Sequence, residues 1–352
     1  MAESHEIRLT RGDGIKVRPA FSPDGQQIAY SIRDGEKGSQ VYVVPARGGE
    51  SRLVTREGVS ERTLAWAPDG QGIYTTDVED MVLCRIGLDG ELKQTFPNFG
   101  VAEALDVSRD GSRFLYVHYT GDNFDIAFYD PEQGEELQYL SKTPEWEVAA
   151  CFGPKPGEAT VCRKPTSASP VGEICVWSPV TRAYAPLPLP QGNNNEPEWS
   201  PDSRYMAYVS DRTGNRDIWI YDPESGRSIQ VTSTQEEETT PRWSPDGQYL
   251  VFSRGTTSSH IFVGDPDTKE VRQLTDGEAW EGHPVASEDG EWLAVVRRPV
   301  PEEGKKHKPQ LAVVSVSTGD LHELDLGDIE YSFSAVTASW SPDAKELAFA
   351  AD

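Results

Sequence analysis

The sequence predicts an all-β fold, a closed β-propeller of four-stranded blades, on three observations. A Trp-Ser-Pro-Asp-Gly phrase recurs along the whole chain. Its spacing is that of one blade, and each copy is followed by the same succession of strand and turn residues. No long stretch places apolar residues at i, i+3, i+4 and i+7, so helix content is expected to be small.

The copies run in order. Phe21-Ser22-Pro23-Asp24-Gly25 comes first, then Trp66-Ala67-Pro68-Asp69-Gly70, Trp199-Ser200-Pro201-Asp202, Trp243-Ser244-Pro245-Asp246-Gly247 and Trp340-Ser341-Pro342-Asp343. Weaker copies stand at Val107-Ser108-Arg109-Asp110-Gly111, Phe152-Gly153-Pro154 and Ala286-Ser287-Glu288-Asp289-Gly290. The anchors at 21, 66, 107, 152, 199, 243, 286 and 340 are 41 to 47 residues apart, except for a last step of 54. Eight anchors favour eight blades, with seven as the alternative, in a single domain over 1–352.

Within each unit a short strand ends at the aromatic anchor. Pro then fixes φ and Asp-Gly supplies the turn. A β-rich strand follows, such as Tyr205-Met206-Ala207-Tyr208-Val209, then a third, Asp217-Ile218-Trp219-Ile220-Tyr221, which ends in Asp222-Pro223-Glu224-Ser225-Gly226. A fourth strand, Gln230-Val231-Thr232 or Arg272-Gln273-Leu274-Thr275, closes the unit. Trp340 to Asp352 supplies only two strands, and Glu6-Ile7-Arg8-Leu9-Thr10 matches an outer fourth strand. The two ends are therefore expected to share the closing blade, which removes a pair of open edges.

Composition agrees. The 352 residues include 31 Gly and 26 Pro, as frequent turns require. The net charge of −25 argues against nucleic acid and against anionic membranes as partners, and leaves solubility or a cationic partner as its meaning. Four cysteines, Cys84, Cys151, Cys162 and Cys175, form no Cys-x-x-Cys pair and have no His at metal-ligand spacing. A Cys162–Cys175 disulfide needs adjacent strands. No secretion leader and no run of 18 apolar residues is present, so a soluble, cytoplasmic monomer is expected, periplasmic if a leader has been removed.

The repeat, together with Ser210-Asp211-Arg212-Thr213-Gly214-Asn215-Arg216-Asp217-Ile218-Trp219, resembles the TolB-type propeller repeat. It is similar also to the non-catalytic propeller of prolyl-oligopeptidase-family serine peptidases. The resemblance covers essentially the whole chain and implies fold more than function. In those peptidases catalysis belongs to an α/β-hydrolase domain with a Gly-x-Ser-x-Gly elbow, and this sequence has no such pentapeptide. TolB itself carries an α/β domain ahead of its propeller, which is not seen here.

Loops leading into the first strand of each unit are expected to surround the central channel, where a ligand or partner would meet the protein. Glu61, Glu147, Glu238 and Glu281 each stand five residues before an anchor. With Trp146, Asn195, Glu196, Trp280, His283 and Tyr331 they make a candidate acidic mouth. Such a mouth would suit a peptide amine or basic side chain through charge and cation–π contact; otherwise these residues are solvated charges and packing aromatics. The turn aspartates are better explained by Asx-type backbone bonds than by metal binding. No metal or cofactor is expected.

Three readings follow. The first is a non-catalytic protein- or peptide-binding scaffold. The second is the substrate-gating propeller of a peptidase whose hydrolase domain is absent here. The third is a propeller lactonase or lyase with carboxylates around a channel metal.

Overall fold

The recurring turn is held by its own side chains. The computed structural model describes residues 9, 15–34, 38–55, 59–67, 69–77, 82–96, 102–107, 113–119, 124–129, 138–140, 144–155, 157–166, 169, 171–255, 259–277, 279–299, 310–324 and 338–349. Ser200 Oγ donates to Asp202 Oδ1 at 2.7 Å and accepts the Tyr205 N–H at 3.0 Å, while Asp202 Oδ1 accepts the Arg204 N–H at 3.0 Å. The same three bonds recur at Ser22/Asp24, Ser244/Asp246, Ser287/Asp289 and Ser341/Asp343. These are the expected Asx-type bonds. The serine hydroxyl is the main reason that the Asp24, Asp202 and Asp343 carboxyls lie below their usual range. The residue after the aspartate takes a left-handed backbone. Gly247 suits it at φ +72°, but Ser203 and Ala344 are held there at 60° and 59°.

Among the described residues every element between the turns is a strand. The first sheet contains β1 (Ile15–Phe21), β2 (Gln27–Asp34), β3 (Gly38–Pro45), β4 (Arg52–Leu53), β5 (Val59–Trp66), β6 (Gly72–Asp77), β7 (Val82–Gly87) and β8 (Leu92–Phe96). Four-stranded sheets follow in chain order. They are β9 (Ala102–Val107) to β12 (Gln138–Tyr139) by way of β10 (Phe114–Tyr119) and β11 (Phe124–Tyr129), then β13 (Trp146–Phe152), β14 (Ala159–Lys164), β15 (Glu173–Ser178) and β16 (Ala183–Pro186). Next are β17 (Asn194–Trp199), β18 (Met206–Ser210), β19 (Asp217–Asp222) and β20 (Arg227–Gln230). The sheet of β21 (Glu238–Trp243), β22 (Leu250–Arg254), β23 (His260–Gly264) and β24 (Val271–Gln273) comes after it. The last four-stranded sheet has β25 (Ala279–Ala286), β26 (Trp292–Pro299), β27 (Gln310–Ser315) and β28 (Leu321–Glu323), and a hairpin of β29 (Ala338–Trp340) and β30 (Leu347–Phe349) ends the series.

The expectation of eight four-stranded blades, or seven, is corrected by this topology. Among the described residues six sheets hold four strands or more, and the hairpin holds two. Counting anchors counts turns, and a turn does not mark the border of a sheet. The first two repeat units are joined into one sheet where Ser39 pairs with Val59. The last anchor is followed by one paired strand. The proposed partner strand near the N-terminus lies outside the described residues except for Leu9, which packs with Ile28, Tyr30, Val44 and Ala348.

By its contacts the chain divides into two compact units, 1–99 with 326–352, and 100–325. In the first, the terminal hairpin lies beside β1, where the Phe21 N–H donates to Ser339 Oγ at 3.4 Å. In the second, successive sheets pack face to face. Leu250 and Phe252 turn toward Val209, Ile218 and Ile220 of the sheet before, while Val251 between them turns toward Leu293 and Val295 of the sheet after. Alternation thus serves two cores at once, and these strands are apolar on both faces.

The anchors tie neighbouring first strands. Trp66 Nε1 donates to Ala20 O at 2.9 Å, and Trp243 Nε1 donates to Glu198 O at 3.0 Å. Trp199 Nε1 donates instead to Thr160 Oγ1 at 2.7 Å. Trp66 and Trp243 are buried, whereas Trp199 is half-buried.

Two stability changes are expected. Trp243→Ala removes a buried indole and its bond, costing about 3–5 kcal/mol in denaturant unfolding. A loss below about 1 kcal/mol would mean that the anchor carries no core. Ala344→Gly relieves a left-handed alanine and is expected to stabilise by about 0.5–1 kcal/mol, read as a raised melting temperature.

Candidate functional site

Five residues before their anchors, Glu147, Glu238 and Glu281 lie near the start of the first strands of three sheets in the second unit. All three are 0% exposed. Each stands directly across from an arginine on the second strand, in the pairs Glu147–Arg163, Glu238–Arg254 and Glu281–Arg297. Arg254 Nε lies 2.8 Å from Glu238 Oε1, Arg297 Nε lies 3.1 Å from Glu281 Oε1, and Arg163 Nε lies 3.8 Å from Glu147 Oε1.

The other carboxylate oxygen reaches back to the preceding sheet. Glu238 Oε2 accepts the Thr232 hydroxyl at 3.0 Å, and Thr232 Oγ1 in turn accepts the Ile218 N–H at 2.8 Å. Glu281 Oε2 accepts the Thr275 hydroxyl, which accepts the Ile261 N–H at 2.9 Å. Glu147 Oε2 takes the equivalent backbone donor directly, the Ile126 N–H at 2.7 Å. His260 Nδ1 lies 3.5 Å from Glu281 Oε2. Thr234 adds a bond to Glu238 Oε1 at 2.7 Å. Each carboxylate therefore joins two sheets and neutralises one guanidinium.

Burial pushes the Glu238 and Glu281 carboxyls up, against the opposing pull of the threonine hydroxyls and the arginine charge. What the sequence offers as an acidic mouth is, at these three positions, a set of interior staples. Their charge is spent inside the protein. Sequence reasoning saw the glutamates but missed their partners. The signal was present, since each arginine follows its glutamate by 16 residues, and Thr232 and Thr275 precede theirs by six.

The remaining candidates are scattered. Glu196 sits at a bulge of β17 with φ 50°, and its Oε2 accepts the Thr240 N–H at 2.6 Å. Thr240, with φ 53°, occupies the equivalent bulge of β21. Asn195 is half-buried on β17, opposite Val209. Trp146 opens β13 opposite Lys164. Trp280 lies across from Arg298, whose guanidinium carbon is 4.9 Å from the ring centroid. The indole also lies over Gly282, where a Cβ would come within 2.4 Å of it. The side chains of Glu61 and His283, and all of Tyr331, lie outside the described residues.

The cysteines are free thiols. Cys175 stands opposite Val161, the neighbour of Cys162, so the two thiols point to opposite faces of adjacent strands. That placement rules out the disulfide. Burial raises Cys162 to about 11 and Cys175 to about 12, which leaves both protonated at neutral pH. No helix among the described residues is long and apolar enough to cross a membrane.

Comparison with known proteins gives one matching family, described as the TolB beta propeller domain, over residues 102–298 and again over 195–352. A putative Tricorn-like protease N-terminal subunit of Sulfurisphaera tokodaii is 37% identical over 75 residues, 20% of this chain and 37% of that protein. The uncharacterized peptidase YuxL of Bacillus subtilis is 28% identical over 195 residues, 45% of this chain and 29% of that protein. The matches thus span well under half of each relative. Among solved structures, the β-propeller domain of the Trilobed protease from Pyrococcus furiosus superposes with a TM-score of 0.59 at 13% identity, covering 88% of this chain and 97% of that one. At that identity the likeness establishes the propeller fold alone.

The staples carry a direct test. Glu238→Ala leaves the Arg254 guanidinium, 12% exposed, without its carboxylate. The expected loss is about 3–5 kcal/mol, while Glu238→Leu with Arg254→Leu together loses less. The sign with pH follows from the raised folded value of Glu238: its contribution is full below the ordinary glutamate range and falls as pH rises through the folded value. Wild type should therefore lose ground to Glu238→Gln as pH rises above the ordinary glutamate range of about 4.3, measured as unfolding free energies at each pH.

Proposed function

We propose that this chain, which belongs to the TolB β-propeller family, acts as a non-catalytic, peptide-handling module of a peptidase system. The observation that carries the reading is the 37% identity with a protein named as one subunit of a Tricorn-like protease. A second relative named as a peptidase, matched over 45% of this chain, points the same way. The chemistry of the interior supports a non-catalytic role. The carboxylates repeated from sheet to sheet are consumed in holding the sheets together, and the Cys162 and Cys175 thiols are kept protonated by burial. With a net charge of −25, the ligand class favoured is a cationic peptide.

The test uses two labelled octapeptides of about eight residues, one rich in Lys and Arg and one rich in Glu, titrated with the protein by fluorescence anisotropy. The basic peptide is expected to bind, and to weaken as salt rises above about 0.1 M, where charges are screened over ~10 Å. Mass spectrometry of the same mixtures should show both peptides intact. Cleavage by the purified chain would overturn the non-catalytic role. Equal failure of both peptides to bind at about 1 mM protein, some −4 kcal/mol, would overturn the peptide-handling role.

A further inference from the structure

The staple row can be followed across three strands in four sheets of the second unit. It reads Glu147–Arg163–Glu173 in β13–β15, Glu238–Arg254–His260 in β21–β23, and Glu281–Arg297–Gln310 in β25–β27. In β17–β19 the same row reads Asn194–Ser210–Asp217. Here the glutamate is shortened to an amide and the arginine to a hydroxymethyl, so no guanidinium is present. A carboxylate nevertheless remains in the row.

Directly opposed residues on antiparallel strands point to one face, their Cβ atoms about 5 Å apart. Asn194, Ser210 and Asp217 are 6%, 0% and 1% exposed. Two of their five side-chain polar atoms are satisfied by the protein. Asn194 Nδ2 donates to Pro190 O at 3.0 Å, and Asp217 Oδ2 accepts Gln230 Nε2 at 2.9 Å and the Thr213 hydroxyl. The other three atoms, Asn194 Oδ1, Ser210 Oγ and Asp217 Oδ1, are buried oxygens with no hydrogen-bond partner in the protein. Among the described residues no Lys, Arg or His pairs with Asp217.

A buried carboxylate without a counter-charge is costly, and three of these four sheets avoid that cost with arginine. Three oxygens on one face, one of them charged, match the ligand set of a hard cation, and a single negative charge is balanced by a single positive one. A water molecule would satisfy hydrogen bonds but leave the charge. We propose that Asn194 Oδ1, Ser210 Oγ and Asp217 Oδ1 hold a small monovalent cation, of the Na⁺, K⁺ or NH₄⁺ class, in the place that a guanidinium takes in the other sheets.

Thermal unfolding of the purified chain in chlorides of Na⁺, K⁺, NH₄⁺ and tetramethylammonium, at one ionic strength, tests the site. Tetramethylammonium is too bulky for the row and supplies the same screening. At least one small cation should raise the melting temperature by about 2–4 °C over tetramethylammonium, with a rise that saturates. Asp217→Asn should abolish the difference between salts. Ser210→Arg supplies a tethered guanidinium and should also abolish it, while raising the melting temperature in tetramethylammonium; this variant carries the test if Asp217→Asn does not fold. Equal melting temperatures for wild type in all four salts would overturn the proposal in favour of a water-filled site. A salt preference that survives both substitutions would place the cation elsewhere and overturn it as well.

Discussion

The second unit depends on one interaction, a glutamate carboxylate buried where two sheets meet. Face-to-face apolar packing is non-directional and would tolerate one sheet sliding past another. The carboxylate does not tolerate it. Glu238 must reach Arg254 within its own sheet and Thr232 of the sheet before, and the threonine hydroxyl is already committed to the Ile218 N–H. A displacement of one residue separates Glu238 Oε2 from the Thr232 hydroxyl and leaves a buried carboxylate oxygen and a buried hydroxyl without their bond. The penalty for a wrong register is therefore much larger than the net gain of the right one.

That asymmetry explains how strands apolar on both faces acquire a definite position. Leu250 and Phe252 serve one core and Val251 the next, so a slip of one residue would exchange two sets of similar side chains at little hydrophobic cost. Polar groups at the strand ends remove the ambiguity, and the indole bond from Trp243 to Glu198 O holds the opposite end of the first strand. Register is set at the two ends, and stability is supplied between them.

Much of this was legible in the residues. The Ser-Pro-Asp turns announced themselves, because one serine and one aspartate suffice to build each of them locally. The anchor tryptophans and alternating strands followed from period and pattern. Sheet membership was not legible: the joining of the first two repeat units rests on the single pair Ser39–Val59, which no composition encodes. The glutamates were recognised as a repeated set but read as surface charge. Their burial depends on arginines 16 residues downstream, and such a pair becomes informative only when both members are examined at one spacing. At β17 the offset of five falls on Asn194, beside the residues that attracted notice, Asn195 and Glu196.

The staple also makes each repeat that carries it chemically incomplete by itself. One unit contributes the threonine that the following glutamate needs, and its own glutamate depends on the threonine or amide of the unit before. Copying a unit within the array preserves the hand-over at both borders. Excising one and setting it beside a foreign neighbour strands a buried anion on one side and an idle hydroxyl on the other. The borders at which such an array can be lengthened, shortened or recombined over evolutionary time are therefore those where donor and acceptor travel together, and the Asn194–Ser210–Asp217 row marks one border where that inheritance has been rewritten.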